Sequence, residues 1–314
     1  MKIGLIDVDG HNFPNLALMR ISAYHKSLGD AVEWWQSNLF WYDTVYMSKI
    51  FSDAYSPDIP EPTSCGKVVK GGTGYAIKLG ADGKAHFDKS IHTDLPPEIE
   101  KMFPDYSIYP QFNFAVSMTS RGCPRGCSFC HVASKEGRCA KKVADVSDFW
   151  CGQKEIRVLD PNITAVKEPD KRDLMRQYSE TGALIDFTQG LDIRMLNDAD
   201  IEDINAMRIR NLHFAWDNPE DDLKDKFAAY AKKAKHKIYC GFGTVYCLVG
   251  FNSTLEQDLY RIYTLRDLKF DPYVMVYNKP SAPKQLKRLQ RWCNNRMIFK
   301  SCKRFEDYNP GRKE

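Results

Sequence analysis

Phe112-Asn113-Phe114-Ala115-Val116-Ser117-Met118-Thr119-Ser120-Arg121-Gly122-Cys123-Pro124-Arg125-Gly126-Cys127-Ser128-Phe129-Cys130 is the stretch on which the reading of this chain turns. Its first part, Phe112–Met118, is an apolar run of strand length. Its second part is a loop, because Gly122, Pro124 and Gly126 interrupt any regular period. Cys123, Cys127 and Cys130 lie within that loop. Flanked by Gly and Pro, three thiolates at this spacing can wrap around one metal centre. Thiolates suit zinc and iron–sulfur clusters. A closed four-iron cluster takes four cysteines, so three would leave one iron open to an external ligand.

Working outward, the chain after the cysteines alternates strand and helix. Strand-like runs are Ile156–Leu159, Leu184–Phe187, Leu212–Trp216, Thr244–Gly250 and Tyr273–Tyr277. Helix-like segments separate them: Asp170–Glu180, Asp198–Arg208, Asp221–Lys235 and Leu255–Leu268, with Pro283–Asn294 last. Ser253-Thr254-Leu255-Glu256 offers a capping-box start for one of these helices. With Phe112–Met118, six βα repeats predict a parallel barrel, incomplete because eight close one. Barrels of this kind place their chemistry at the C-terminal ends of the strands.

Before the cysteines the pattern is shorter. Lys2–Asp7 is an apolar run that predicts a buried parallel strand. Asn15–Leu28 predicts a helix stopped by Gly29, and Ala31–Trp35 and Thr44–Met47 predict two further strands. Lys67-Val68-Val69 leads into Gly71-Gly72-Thr73-Gly74, a loop needing unusual backbone angles or close backbone approach. These units predict a small doubly wound sheet. Leu95–Pro110, with four prolines, reads as a linker. The expected organisation is a Rossmann-type domain over residues 1–109, a partial (β/α)6 barrel over 110–300 and a tail over 301–314.

Composition sets outer limits. The chain has 314 residues, 43% hydrophobic and 27% charged, ordinary values for a globular protein. The net charge of +4 is too small to mark the whole chain as a nucleic-acid binder. From Lys279 onward, however, eleven Lys/Arg stand against three Asp/Glu, a local excess of +8. That excess reads either as a solvated helix face or as a phosphate-binding surface, for which Trp292 and Tyr308 would supply aromatics. No segment reads as a secretion signal or membrane span, so the expected location is the cytoplasm, without membrane partners. Ten cysteines in that compartment read as packing thiols or metal ligands, not disulfides.

Four readings of the triplet stay open at this point. Cys127-Ser128-Phe129-Cys130-His131 matches the C-x-x-C-H haem-attachment pattern, which belongs to exported proteins. A zinc knuckle would use the three cysteines with His131 or Cys139. An electron-transfer cluster would be completed by Cys139 or Cys151. The fourth reading, packing cysteines, fits poorly with a loop so rich in Gly and Pro.

The spacing C-x3-C-x2-C, with aromatic Phe129 before the last cysteine, resembles the signature of the radical S-adenosylmethionine (SAM) superfamily. The resemblance covers roughly residues 111–300 and includes the place of the loop after a first barrel strand. It implies a [4Fe-4S] cluster on Cys123, Cys127 and Cys130, with SAM on the open iron. It also implies reductive cleavage of SAM to a 5′-deoxyadenosyl radical that abstracts hydrogen from a substrate, and an external electron donor such as flavodoxin or ferredoxin. On the same resemblance Phe129 lies by the adenine and Asp160, in Leu159-Asp160-Pro161-Asn162, accepts from the SAM ammonium; an Asp-Pro turn is the alternative for Asp160. Gln189-Gly190-Leu191-Asp192-Ile193-Arg194 is similar to a family segment in which Gln189 binds ribose and Arg194 a carboxylate, with Asp192 beside it; an Asp192–Arg194 pair that only folds the loop is the alternative. Val249-Gly250-Phe251 resembles the glycine motif where backbone passes adenine. Trp216-Asp217-Asn218 caps the next helix or faces the site, with Asn218-Pro219 favouring the cap.

Residues 1–109 are similar to the cobalamin-binding domain that precedes the barrel in one branch of that family. Asp9-Gly10-His11-Asn12-Phe13-Pro14 resembles a D-x-H-x-x-G cobalt-ligand motif, but Pro14 stands where the motif has Gly. His11 therefore reads as a loop-packing or substrate-facing residue before a cobalt ligand, and the domain as one that either binds cobalamin or has lost it. The substrate expected is a small molecule or peptide. Modification of a tRNA or other nucleic-acid base, as in methylthiolation, is the alternative class, and a non-catalytic iron–sulfur or zinc protein is the third.

Overall fold

The computed structural model describes residues 1–80, 85–92, 94–237, 241–309 and Gly311. Cys240, and Arg312 and Lys313 of the basic tail, lie outside these residues. The chain is mixed α/β with parallel sheets. It divides into two compact units: Met1–Ser117 with Gly122–Arg138 and Ala144–Gln153, and Met118–Arg121 with Cys139–Val143 and Lys154–Glu314.

The first unit opens with β1 (Lys2–Asp7) and α1 (Leu16–Ser27). Asn15 is the helix cap, its side chain accepting from the Leu18 amide at 3.3 Å. Gly29 follows the helix at φ +82°, the left-handed stop expected of it. The strands β2 (Ala31–Trp34), β3 (Tyr42–Ser48) and β4 (Cys65–Gly71) complete a parallel sheet of order β2-β1-β3-β4. The order reverses between β1 and β3, as a doubly wound sheet requires. Only the β1–β2 connection carries a helix, however; residues 35–41 and 49–64 cross without one.

Both faces of β1 are buried, which explains why it reads as an unbroken apolar run. Ile3 and Leu5 pack with Leu18 and Ile21, while Ile6 packs with Tyr42, Val45 and Met47. The segment Leu95–Pro110, expected as a linker, is part of this unit. Ile99 of α3 (Pro97–Glu100; α2 is Thr73–Ala76) joins the Ile3 cluster. The Trp34 indole donates to the Ile108 carbonyl at 3.1 Å, and the Tyr109 hydroxyl to Asp7 Oδ2 at 2.7 Å. Proline fixes φ without preventing burial, so four prolines were compatible with a packed segment.

The glycine loop does what its composition predicts. Gly72 has φ +103°, and a Cβ there would lie 2.2 Å from the Lys49 carbonyl oxygen. A short antiparallel pair, β5 (Ile77–Leu79) and β6 (Ala85–Phe87), then β7 (Ala115–Ser117) and α4 (Val132–Glu136), complete the elements of this unit.

The second unit begins with a two-stranded antiparallel clasp, β8 (Ser120–Arg121) and β9 (Lys141–Lys142). Its main strands are β10 (Glu155–Val158), β11 (Leu184–Leu191), β12 (Arg208–Ala215), β13 (Thr244–Val249) and β14 (Asp271–Val276). They are parallel and neighbour one another in chain order. The helices α5 (Asp170–Glu180), α6 (Asp198–Ala206), α7 (Lys224–Lys233) and α8 (Leu255–Asp267) connect them. A sheet that never reverses order, with crossovers of one hand, lays its connecting helices on one face. The ring contacts agree: Phe187 meets Tyr178 of α5, and Phe214 meets Phe227 and Tyr230 of α7.

α9 (Lys284–Asn294) and α10 (Arg296–Ser301) close the unit. Trp292 and Tyr308, read as aromatics available for bases, are instead core residues beside Val249, Ile262, Val274 and Leu289. The capping box of α8 forms one residue later than expected: Thr254 is the cap and Gln257 its partner, not Ser253 and Glu256. Among the described residues, no helix is long and apolar enough to cross a membrane.

Candidate functional site

The stem of the cysteine loop lies in the second unit. Thr119 precedes β8, and its backbone N–H donates to Asp160 Oδ1 at 2.9 Å while its hydroxyl donates to Oδ2 at 2.8 Å. Val143, just after β9, donates its N–H to the Thr119 carbonyl at 2.8 Å. The chain therefore leaves for the cysteines and returns through a tied base. Asp160 was expected to accept from a SAM ammonium. It is 2% exposed and both its oxygens hold Thr119, so the structure gives it a positioning role at the stem.

Burial pushes the Asp160 carboxyl up to about 6, against the hydrogen bonds from Ser120 and Thr119 that favour its charged form. The folded value stands above the ordinary one, so the protonated form is favoured by folding. The Asp160 contribution is then fully present below about pH 4 and lost as pH rises through about 6. Asp160→Asn, which titrates nowhere in this range, is expected to remove that slope, on the order of 2–3 kcal/mol between the two ends. Denaturant melts of both proteins across this range check it; parallel curves would refute it.

The loop itself belongs to the first unit. The Gly122 N–H donates to Glu136 Oε2 at 3.2 Å and the Cys123 N–H to the Gly137 carbonyl at 3.1 Å, folding the loop back on α4. The Cys130 N–H donates to the Cys127 carbonyl at 2.9 Å, a tight turn between two of the candidate ligands. Gly126 has φ +57°, and a Cβ on it would lie 2.8 Å from the Arg138 guanidinium. Glycine there admits a cation against the backbone between Cys123 and Cys127.

Cys123 and Cys127 are half-buried, Cys130 is exposed, and Phe129 is half-buried. None of the nine described cysteines is in a disulfide. Among the described residues, no three His, Cys, Asp or Glu side chains are gathered to hold a metal ion. A zinc ion asks for thiolates about 2.3 Å from one point; a four-iron cluster gives each cysteine its own iron. Cys139 and Cys151, named as completing ligands, are exposed. Cys247 and Cys293 are packing thiols: burial pushes Cys247 up to about 12 and raises Cys293 well above its ordinary value.

The remaining candidates lie along one edge of the second unit's sheet, because the strands are parallel and each candidate is at a C-terminal end. β11 runs on through Gln189, Gly190 and Leu191, with a break in register between Phe187 and Leu191. Gly190 takes φ +92° in this bulge, and Gln189 is exposed. Asp192 and Arg194 are brought together, Nε to Oδ1 at 2.6 Å, and Arg194 Nη1 donates to Asp221 Oδ2 at 2.8 Å. The pair that folds the loop is thus formed, with a second carboxylate on Arg194 that the motif did not announce. Gly250 takes φ +77°, and a Cβ on it would meet Leu286 Cδ1 at 2.5 Å, so the turn and the α9 side chain above it account for the glycine.

Trp216-Asp217-Asn218 caps no helix by a side chain. Asp217 Oδ1 accepts from the Leu248 N–H at 3.0 Å, joining the ends of β12 and β13. Arg261 of α8 reinforces the join. Its Nη1 donates to the carbonyls of Trp216 (2.5 Å) and Asp217 (3.0 Å), and its Nη2 to Leu248 O (2.9 Å) and Asp258 Oδ1 (2.5 Å).

Sequence reading missed a polar row on the sheet face opposite the helices. Asp186, His213, Tyr246 and Tyr273 alternate with residues that pack on the helices. His213 and Tyr246 stack at 5.2 Å with rings 6° from parallel, and Tyr246 meets Tyr273 edge-on. The His213 Nδ1 lies 3.1 Å from the Phe187 carbonyl and Asn211 donates to Asp186 at 2.8 Å. Burial, then the charge of Asp186 and the neighbouring Tyr273, push the Tyr246 phenol up to about 12. The signal was present as period-two alternation of polar and apolar residues in β12–β14.

In the first unit the His11 ring lies 4.1 Å from that of Trp34 and 5.9 Å from that of Tyr109, a packing place. No protein-family model matches the chain, and no curated protein matches it significantly.

Proposed function

We propose that this chain is a radical SAM enzyme whose Cys123, Cys127 and Cys130 hold a [4Fe-4S] cluster. The observation that carries the reading is the C-x3-C-x2-C loop entered from a strand and tied at its stem by Asp160. The chain-order winding of β10–β14 supports it, since a partial (β/α) barrel is wound this way. The donor set also fits: three thiols on one loop, outside any disulfide, with the Arg138 cation against Gly126.

The bound cluster would supply the electron that cleaves SAM to a 5′-deoxyadenosyl radical, which takes hydrogen from the substrate. The work of the chain is to hold and orient. Asp160 fixes the stem. Arg194, steadied by Asp192 and Asp221, is the group for the methionine carboxylate. Gln189 stands exposed for ribose, and the backbone at Gly250 would take the base edge. The polar row from Asp186 to Tyr273 is the surface we assign to the hydrogen donor. An external donor such as flavodoxin or ferredoxin provides the electron. The first unit fits a cobalamin-type domain without cobalamin, His11 being committed to Trp34.

Anaerobic reconstitution with iron and sulfide, followed by SAM and dithionite, is expected to yield 5′-deoxyadenosine with four irons per chain. Four-iron loading with no cleavage of SAM would overturn the enzyme and leave an iron–sulfur protein.

A further inference from the structure

The end of the second unit holds a cleft of about 190 Å³ lined by five cations (Arg266, Lys269, Arg296, Lys300 and Lys303), the acid Asp271, and Phe270 and Phe299. Five cations face one carboxylate, which lies 3.6 Å from Arg296. Arg266 is fixed: Nη1 donates to the Lys303 carbonyl at 2.6 Å, and its guanidinium lies over the rings of Tyr263 and Phe299 at 4.9 and 5.2 Å. Lys269 and Lys303 have no ion-pair partner among the described residues. Lys269 also holds φ +63°, a conformation that glycine adopts freely and lysine does not. Like charges crowded on one surface repel, and a bound anion relieves the repulsion.

We propose that this cleft seats the phosphate backbone of a single-stranded nucleic acid. Its volume is below the roughly 300 Å³ at which pockets for whole small molecules begin, yet ample for a phosphodiester carried past on a chain. The cleft is concave and suits a projecting phosphate better than a flat bilayer. Phe270 is buried and the Arg266 guanidinium lies over the Phe299 ring, so the contact falls on phosphate before base and recognition is independent of sequence. Among the described residues from Lys279 to Asn309, nine Lys/Arg against two Asp/Glu extend the field of this end of the unit. This surface needs no cluster, so it stands apart from the radical SAM reading.

The test is fluorescence anisotropy of a labelled single-stranded RNA with the full chain, from about 50 to about 200 mM salt. Binding should weaken with salt, and Lys269→Ala/Lys303→Ala should flatten the log–log slope by about 1.4, near 0.7 for each phosphate no longer neutralised. Lys269→Gly, whose backbone the position favours, keeps the fold and should still lose one such increment, while Lys269→Arg restores it. The proposal falls if RNA does not bind at the low salt, or if Lys284→Ala/Lys287→Ala, outside the cleft, flattens the slope as much. It also falls if vesicles of phosphatidylglycerol bind more tightly than RNA through the same lysines, an outcome Met297, exposed beside Arg296, makes worth measuring.

Discussion

Replacement of Cys123, Cys127 or Cys130 by alanine is expected to abolish four-iron loading and, with it, all formation of 5′-deoxyadenosine. The effect should be complete and equal at the three positions, because a cluster with one site already open tolerates no second loss. Cys139→Ala and Cys151→Ala, outside the motif, should load iron like the parent chain. Iron and sulfide analysis with the visible absorption of the reconstituted proteins decides it. If Cys139→Ala loses the cluster as fully as the triplet variants, a four-cysteine electron-transfer centre replaces the proposed one.

The largest stability effect should come from Arg261. Its side chain and that of Asp258 are each 1% exposed. Burial pushes the Asp258 carboxyl up, against its bonds to Ser253 and Arg261 that hold it charged. Arg261→Ala leaves a buried carboxylate without its cation and three carbonyls without their donor. Breaking such a pair from one side costs about 3–5 kcal/mol, which lowers a melting transition by roughly 10 °C in a unit of this size. Arg261→Met/Asp258→Leu, removing both charges, should recover part of the loss. Thermal melts read it; a single variant within about 1 °C of the parent would show that the network carries no stability.

Much of the fold was legible because it is written in local periods. β1, α5 and the caps of α1 follow from apolar spacing, Asn15 and Gly29. The prolines of Leu95–Pro110 misled, since burial there depends on long-range partners such as Asp7 and Trp34. At the site, the cysteine spacing and Asp192–Arg194 were readable as motifs. Arg138 over Gly126, Asp221 on Arg194 and Arg261 across two strand ends were not, because each joins residues far apart in sequence whose meeting the fold decides. Asp160 was read either as a ligand or as a turn residue, and its bonds to Thr119 were not legible, because they join residues 41 apart in sequence.

The clasp between β8 and β9 has a consequence for how this protein can change. The excursion from Gly122 to Ala140 departs and rejoins at paired residues, Arg121 opposite Lys141 and Ser120 opposite Lys142. Its closure is made at the base, so doubling its length would add only about 0.6 kcal/mol of chain entropy. The excursion can thus grow or shrink with little effect on the paired residues at its base.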